Sequence, residues 1–218
     1  MITEISPEVK AIHFQNFGSI VYLIQLSNQN ILIDTSSKEN KEELIYSLAH
    51  LNLTPKKINT IILTHAHYDH TENINLFPNT KIYGNFTKQI NPNHTQTEIQ
   101  NILPIEKLQI AKIKQSSFKN NYEQKRIISN LGENHKSNGR SGIGMEDCSQ
   151  KIFKIYKTPG HTQGDIVIQY KNILFSGDTI FHEGYIGRTD FPESDENKMQ
   201  QSLEFIKTLD FDILCPGH

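Results

Sequence analysis

The sequence predicts an α/β protein. Three observations carry that reading. An apolar run with β-branched residues, Ile58 to Leu63, empties directly into a cluster of polar side chains. The same order (a strand-like run, then Gly or Pro, then His or Asp) recurs before His161, Asp178 and His218. Two stretches with helical spacing, Glu39 to Leu51 and the region after Ser194, lie between and beside these runs. Ligand-type residues at strand ends are where α/β proteins place their binding sites.

The elements follow in order. Val9 to Asn16 and Ser19 to Leu26 read as a hairpin around Gly18, and Asn30 to Thr35 as a third strand. Glu39 to Leu51 reads as a helix, with Leu44, Leu48 and Leu51 on one face and Glu39, Glu42 and Glu43 at its positive N-terminus. Pro55 ends it before the strand at residues 58–63. A helix is expected to begin near Thr71 and a short strand at Lys81 to Tyr83. Ile99, Ile102, Leu103, Leu108, Ile110 and Ile113 could belong to packed structure. Residues from about 112 to 150 read as a polar insertion, crowded by Gly132, Gly139, Gly142 and Gly144. Its two readings are a surface loop and a lid that brings Tyr122, Lys136 or Arg140 to a substrate. Lys151 to Tyr156 alternates as a strand, and Ile166 to Ile168 with Ile173 to Phe175 forms a hairpin around Lys171 and Asn172. The last helix starts at Ser194 as N-cap and buries Met199, Leu203, Ile206 and Leu209, before a final strand through Phe211, Ile213 and Leu214.

The chemistry concentrates in Thr64-His65-Ala66-His67-Tyr68-Asp69-His70. Neutral imidazole and carboxylate are the usual ligands of zinc and iron. His65 and His67, two apart, share one face of extended backbone and can grip one ion. Asp69 and His70 follow as the chain turns, which suggests a second ion beside the first. His161 in Thr158-Pro159-Gly160-His161, Asp178 in Ser176-Gly177-Asp178-Thr179 and His218 in Cys215-Pro216-Gly217-His218 are the remaining ligand candidates.

On these residues the chain resembles the metallo-β-lactamase-fold superfamily, and within it the glyoxalase II-like branch. Gly177-Asp178-Thr179-Ile180-Phe181-His182-Glu183-Gly184-Tyr185-Ile186-Gly187-Arg188-Thr189-Asp190 is similar to a string shared by glyoxalase II-like thioesterases and persulfide dioxygenases. The resemblance implies a four-layer αββα sandwich of two mixed β-sheets, with metals at one edge. It implies that His65, His67 and His161 hold one divalent cation, that Asp69, His70 and His218 hold a second, and that Asp178 bridges them. It also makes Asp34 a candidate support for the metal histidines, against the plain alternative of a turn residue. The chain departs from the family pattern at Thr162-Gln163-Gly164-Asp165, which bears on contacts behind the ligands. Full glyoxalase II carries a helical glutathione-binding domain after this histidine, whereas this sequence ends at His218, so a glutathione thioester is not the expected substrate. Family members normally continue past this histidine, so either the chain is truncated there or its terminal carboxylate lies beside the metals.

The expected activity is therefore a metal-dependent hydrolase of a thioester or related ester. Two cations, zinc by expectation with iron or manganese as alternatives, would convert water into a nucleophile near neutral pH. Asp69 would orient that nucleophile. The alternative is an iron oxidoreductase like the persulfide dioxygenases, with one iron on two His and one Asp; a nuclease of the same fold ranks lower. Arg188 reads either as a fork onto Asp190 or as a substrate contact, and Tyr185 as a hydrogen-bond donor to substrate or a packing residue. Tyr68 carries the same two readings, and His182 is placed on the loop rim. His13, His50, His94 and His135 read as surface histidines.

At 218 residues, a single metallo-β-lactamase-fold domain over 1–218 is the natural expectation. With 22 basic and 24 acidic residues there is no basic excess for nucleic acid, so the expected partner is a small-molecule substrate. No apolar run is long enough for a membrane span, and the N-terminus does not read as a secretory signal. Cys148 and Cys215 are too few for a disulfide framework, and Cys215 reads as a core residue rather than a ligand. Together these features point to a cytoplasmic location. Oligomeric state is left open.

Overall fold

The computed structural model describes residues 1–85, 102–108, 111–114 (backbone only) and 153–218. Most of the polar insertion, with Tyr122, Lys136 and Arg140, lies outside the described residues, as do Ile99, Ile110, His94, His135 and Cys148. The described strands form two mixed sheets. The first orders β1 (Ile2–Ser6), β2 (Val9–Ile12), β3 (Val21–Leu26), β4 (Gln29–Ile33), β5 (Thr60–Ile62), β6 (Lys81–Gly84) and β7 (Ile102–Pro104). It is an antiparallel meander through β4 and parallel from β4 to β7. The second orders β12 (Ile213–Pro216), β11 (Ile173–Gly177), β10 (Ile166–Tyr170), β9 (Phe153–Lys157) and β8 (Ala111–Lys114).

Alternation along the strands produces the layers. In β4, Ile31 and Ile33 face the second sheet, while Leu32 faces outward to Leu44 and Leu48 of α1 (Lys41–His50). In β10, Ile166, Ile168 and Tyr170 join the inner core, while Val167 turns to Ile206 of α3 (Glu196–Ile206). Period-two side chains thus bury both faces of both sheets, which requires a helix on each outer face. The result is the four-layer αββα sandwich. Tyr22 and Phe175 meet edge to face across the inner layer, with ring centroids 5.1 Å apart. No helix among the described residues is long and apolar enough to cross a membrane.

Four local expectations are corrected. Strand β1 is unforeseen: Ile2-Thr3-Glu4-Ile5-Ser6 lies at the sheet edge with none of its residues fully buried, so its pattern is weak. The helix expected from Thr71 begins earlier, as the single turn α2 (Tyr68–Thr71). His67 causes this: its carbonyl accepts from His70 N at 3.1 Å and Thr71 Oγ1 at 3.0 Å, so the chain turns inside the motif. The last helix is capped by Asp195, which accepts from Lys198 N at 3.0 Å, and not by Ser194. Ser194 Oγ instead donates to the His161 carbonyl at 2.7 Å. His13 is half-buried rather than on the surface, and burial lowers its pKa.

Phe175 is fully buried between the sheets. Phe175→Ala is expected to cost about 3–5 kcal/mol, the usual range for a core aromatic. A lower urea midpoint at unchanged slope is the measurement that checks it.

Candidate metal centre

Five chain segments end at one edge of the two sheets. The chain leaving β5 carries His65 and His67, and α2 carries Asp69 and His70. The loop after β9 carries His161, the end of β11 is followed by Asp178, and the end of β12 by His218. Backbone bonds lock these segments together. Ser19 N donates to the Asp69 carbonyl at 2.9 Å, Ile20 N to Gly217 O at 2.7 Å, and Thr35 N to His70 O at 2.8 Å.

All seven ligand candidates converge. The ligand atoms of His65, His67 and His161 lie within 4.8 Å of one another, as do those of Asp69, His70 and His218, and those of His65, His70 and Asp178. Asp178 sits between the first two groups: its oxygens are 3.3 Å from His70 Nε2, 3.6 Å from His161 Nε2 and 3.6 Å from His218 Nε2. His218 Nε2 is 3.3 Å from Asp69 Oδ2.

The outward hydrogen bonds fix which nitrogen of each ring carries the proton. His161 Nδ1 donates to the Arg188 carbonyl at 2.8 Å. His70 Nδ1 donates to Asp34 Oδ2 at 2.8 Å. Thr64 Oγ1 donates to the same Asp34 oxygen at 2.8 Å, so His65 Nδ1 donates to that hydroxyl at 3.1 Å. His67 is reversed, with Nε2 donating to Glu193 Oε1 at 3.1 Å. The inward nitrogens are then lone pairs. His161 Nε2 faces His67 Nδ1 at 2.8 Å, and His65 Nε2 faces the same atom at 3.2 Å. Lone pairs at such distances repel unless something positive lies between them.

The charges say the same. Burial, reinforced by His70, His67 and His161, pushes the His65 pKa well below its usual value, and burial also lowers that of His161. Burial alone would raise the Asp178 carboxyl, but His70 leads the opposing groups and brings it down to about 2. Burial would lower His70, yet Asp178 and Asp34 outweigh it and hold the imidazole well above its usual value. The cluster demands positive charge. His70 Nε2 and Asp178 Oδ1 are buried and make no hydrogen bond among the described residues. These orphaned atoms, with an all-nitrogen and oxygen donor set, fit divalent cations.

Close approach at this edge depends on glycine. A Cβ on Gly217 would collide with Asp178 Oδ1 and come within 2.8 Å of His70 Cε1. A Cβ on Gly187 would collide with the Asp178 carbonyl. Asp34, with φ of 59°, is no plain turn residue: besides His70 and Thr64 Oγ1, it accepts Thr64 N at 2.8 Å. The departure at Thr162-Gln163-Gly164-Asp165 braces the His161 turn, since buried Asp165 accepts both Thr162 N at 2.7 Å and Thr162 Oγ1 at 2.5 Å. Burial raises the Asp165 pKa to about 7 against those donors.

Other expected residues lie apart from the cluster. The Arg188 guanidinium forks onto Asp190 at 2.9 and 2.7 Å and lies 4.6 Å over the Phe191 ring. Tyr185, His182 and Tyr68 are exposed. Cys215 is buried, and burial pushes its thiol up to about 12, which suits a core residue. Sequence reasoning missed Glu193 behind His67, Phe191 edge-on to His67 and His161, and Phe17 stacked on His218 at 5.3 Å. It could have found Thr64, the motif's own first residue. Phe17 arrives from the distant hairpin loop and carries no sequence signal.

Residues 16–218 match the family model described as Metallo-beta-lactamase superfamily. The chain belongs to that superfamily. A probable metallo-hydrolase, MJ0888 of Methanocaldococcus jannaschii, is 30% identical over 208 residues, covering 93% of this chain and 88% of that protein. Hydroxyacylglutathione hydrolase GloC of Haemophilus influenzae is 39% identical over 70 residues, which is 30% of this chain and 32% of that protein. In fold, this superfamily member superposes on ETHE1 from Myxococcus xanthus with a TM-score of 0.59 at 22% identity, covering 96% of this chain and 75% of that one.

Gly217→Ala tests the fit of the cradle. The added methyl is expected to cost about 1–3 kcal/mol of overpacking. Added zinc is expected to raise the melting temperature of the parent protein, and the substitution is expected to remove that rise with the far-ultraviolet circular dichroism unchanged.

Proposed function

We propose that this superfamily member is a hydrolase of a small thioester or related ester that works with two divalent cations, zinc being the ion its donors suit. The observation that carries the reading is the meeting of inward lone pairs and carboxylate oxygens in two adjoining groups. His65, His67 and His161 would hold one cation, Asp69, His70 and His218 the other, with Asp178 serving both. Bound cations of this kind polarise an ester oxygen and lower the pKa of water to about 7.

The chain's own groups do the rest. Asp69, which is buried, would orient the attacking water. Asp34 and Thr64 hold His70 and His65 in one orientation, so their ligating atoms need not reorganise during turnover. Phe17 stacks on the His218 ring, and Phe191 packs edge-on to His67 and His161. Tyr185 and Arg188, exposed on the loop that runs from Asp178 to the carbonyl behind His161, are the residues we place against substrate. The partial likeness to a hydroxyacylglutathione hydrolase supports the thioester class. A mononuclear iron oxidoreductase would leave Asp69 and His218 without a task.

Elemental analysis of purified protein is expected to give two zinc or similar ions per chain, alongside turnover in a thioester and lactone screen without oxygen. Asp178→Ala and His161→Ala should each lower kcat/KM by about 10³-fold or more, since each removes transition-state stabilisation of several kcal/mol. One iron per chain with oxygen uptake would replace this reading with the oxidoreductase.

A further inference from the structure

Three of the converging histidines are oriented by partners fixed in the fold. Asp34 holds His70 directly and His65 through Thr64, from a position that is 2% exposed. The Arg188 main-chain carbonyl holds His161. His67 alone among these four turns its Nε2 outward, and the partner it meets is the Glu193 carboxylate at 3.1 Å. Both side chains are about one-fifth exposed (20% and 21%), so the pair is partly shielded from solvent.

Glu193 also sits in a segment that is otherwise devoted to the same two rings. The Arg188 carbonyl takes the His161 Nδ1 proton, Phe191 lies edge-on to both His67 and His161, and Ser194 Oγ binds the His161 carbonyl. Among the described residues, Glu193 is the one carboxylate that directly accepts an outward ring proton from the group His65, His67 and His161. In the adjoining group, Asp34 plays that part for His70.

We propose that Glu193 is a positioning residue that keeps the His67 proton on Nε2, aims Nδ1 at the first cation and strengthens its donation to it. The inference rests on the two-cation reading above. A carboxylate accepting the outer N–H raises the basicity of the ligating nitrogen, and losing such a partner costs about 10–100-fold in metal affinity. A neutral acceptor in the same place keeps the orientation and loses the charge.

The test is zinc affinity by competition with a chromophoric chelator, for the parent chain and for Glu193→Ala, Glu193→Gln and Glu193→Asp. In the same proteins, the nitrogen chemical shifts of the His67 ring report which nitrogen is protonated. Glu193→Ala is expected to weaken the tighter or the looser of the two zinc steps by about 10–100-fold and leave the other within about twofold. Glu193→Gln should fall between, with Nε2 still protonated, and Glu193→Asp should recover part of the loss. If Glu193→Ala proves unstable without metal, the Gln variant carries the test, because it alters charge at constant shape. Equal affinities across the series, or an unchanged His67 ring in the Ala variant, would overturn the role given to Glu193. A parent chain that binds no zinc would instead overturn the two-cation reading.

Discussion

Where the two sheets end, the inward nitrogens of His65, His67 and His161 and the oxygens of Asp178 face one another with no proton assigned between them. This repulsion is the constraint on which the rest of the edge depends. Outer partners fix each ring so firmly that none can relieve the conflict by exchanging its tautomer. Rotating His70 would remove one of the three bonds that the buried Asp34 carboxylate accepts, and rotating His161 would remove the bond to the Arg188 carbonyl. Each of those moves gives up a hydrogen bond, worth about 0.5–1.5 kcal/mol, or about 1.5–3 kcal/mol where the acceptor is charged. The arrangement is therefore poised for a cation, and Asp178 and Asp34 hold the His70 pKa well above its usual value.

Such an arrangement can persist only if the backbone around it does not yield. Both sheets contribute. Asp34 ends β4 in the first sheet, and its oxygens reach Thr64 N and Oγ1 at the end of the neighbouring β5. Gly217 at the end of the second sheet accepts from Ile20 N in the first, and Tyr22 Oη donates to the Pro216 carbonyl at 2.7 Å across the inner core. The sandwich core thus positions the site as well as stabilising the fold. A shift of one sheet against the other would break these cross-links as it moved His161 and His218 away from the histidines that follow β5.

The strands were legible in the sequence because Lys151 to Tyr156 alternates and the others are short apolar runs closed by Gly, Pro, Asn or Asp, while the four-layer sandwich came from the resemblance that the ligand motif carries. The motif was legible because four ligand-type groups lie within six residues. Strand β1 was not legible, since an edge strand with one face in water needs little apolar pattern. The early turn at Tyr68 was hidden too. It is set by the His67 carbonyl and not by helix propensity, which favours the stretch after Thr71 no more than the motif itself. Asp34 could be suspected but not assigned, because its left-handed φ and its three accepted bonds exist only once β4 and β5 are side by side.

Glu193 and Phe17 mark the deeper limit. Each acts on a histidine far away in the chain, from a segment whose own pattern predicts only a loop. Phe17 stacks on the His218 ring with the planes 14° apart while keeping 67% of its surface exposed, an arrangement that hydrophobic burial alone does not favour. Its neighbours explain it. Ser37 Oγ donates to the Phe17 carbonyl at 2.6 Å, and Gly18 packs so tightly on Ser36, Ser37 and Asn40 that the loop has one path. That path begins from the Ser19–Asp69 backbone bond, so the loop that presents an aromatic ring to His218 also anchors the segment carrying Asp69. One short connection thereby ties the outer face of one candidate ligand to the main chain of another. Function in this region resides in contacts between loops, while the sequence signal resides in the strands that deliver them.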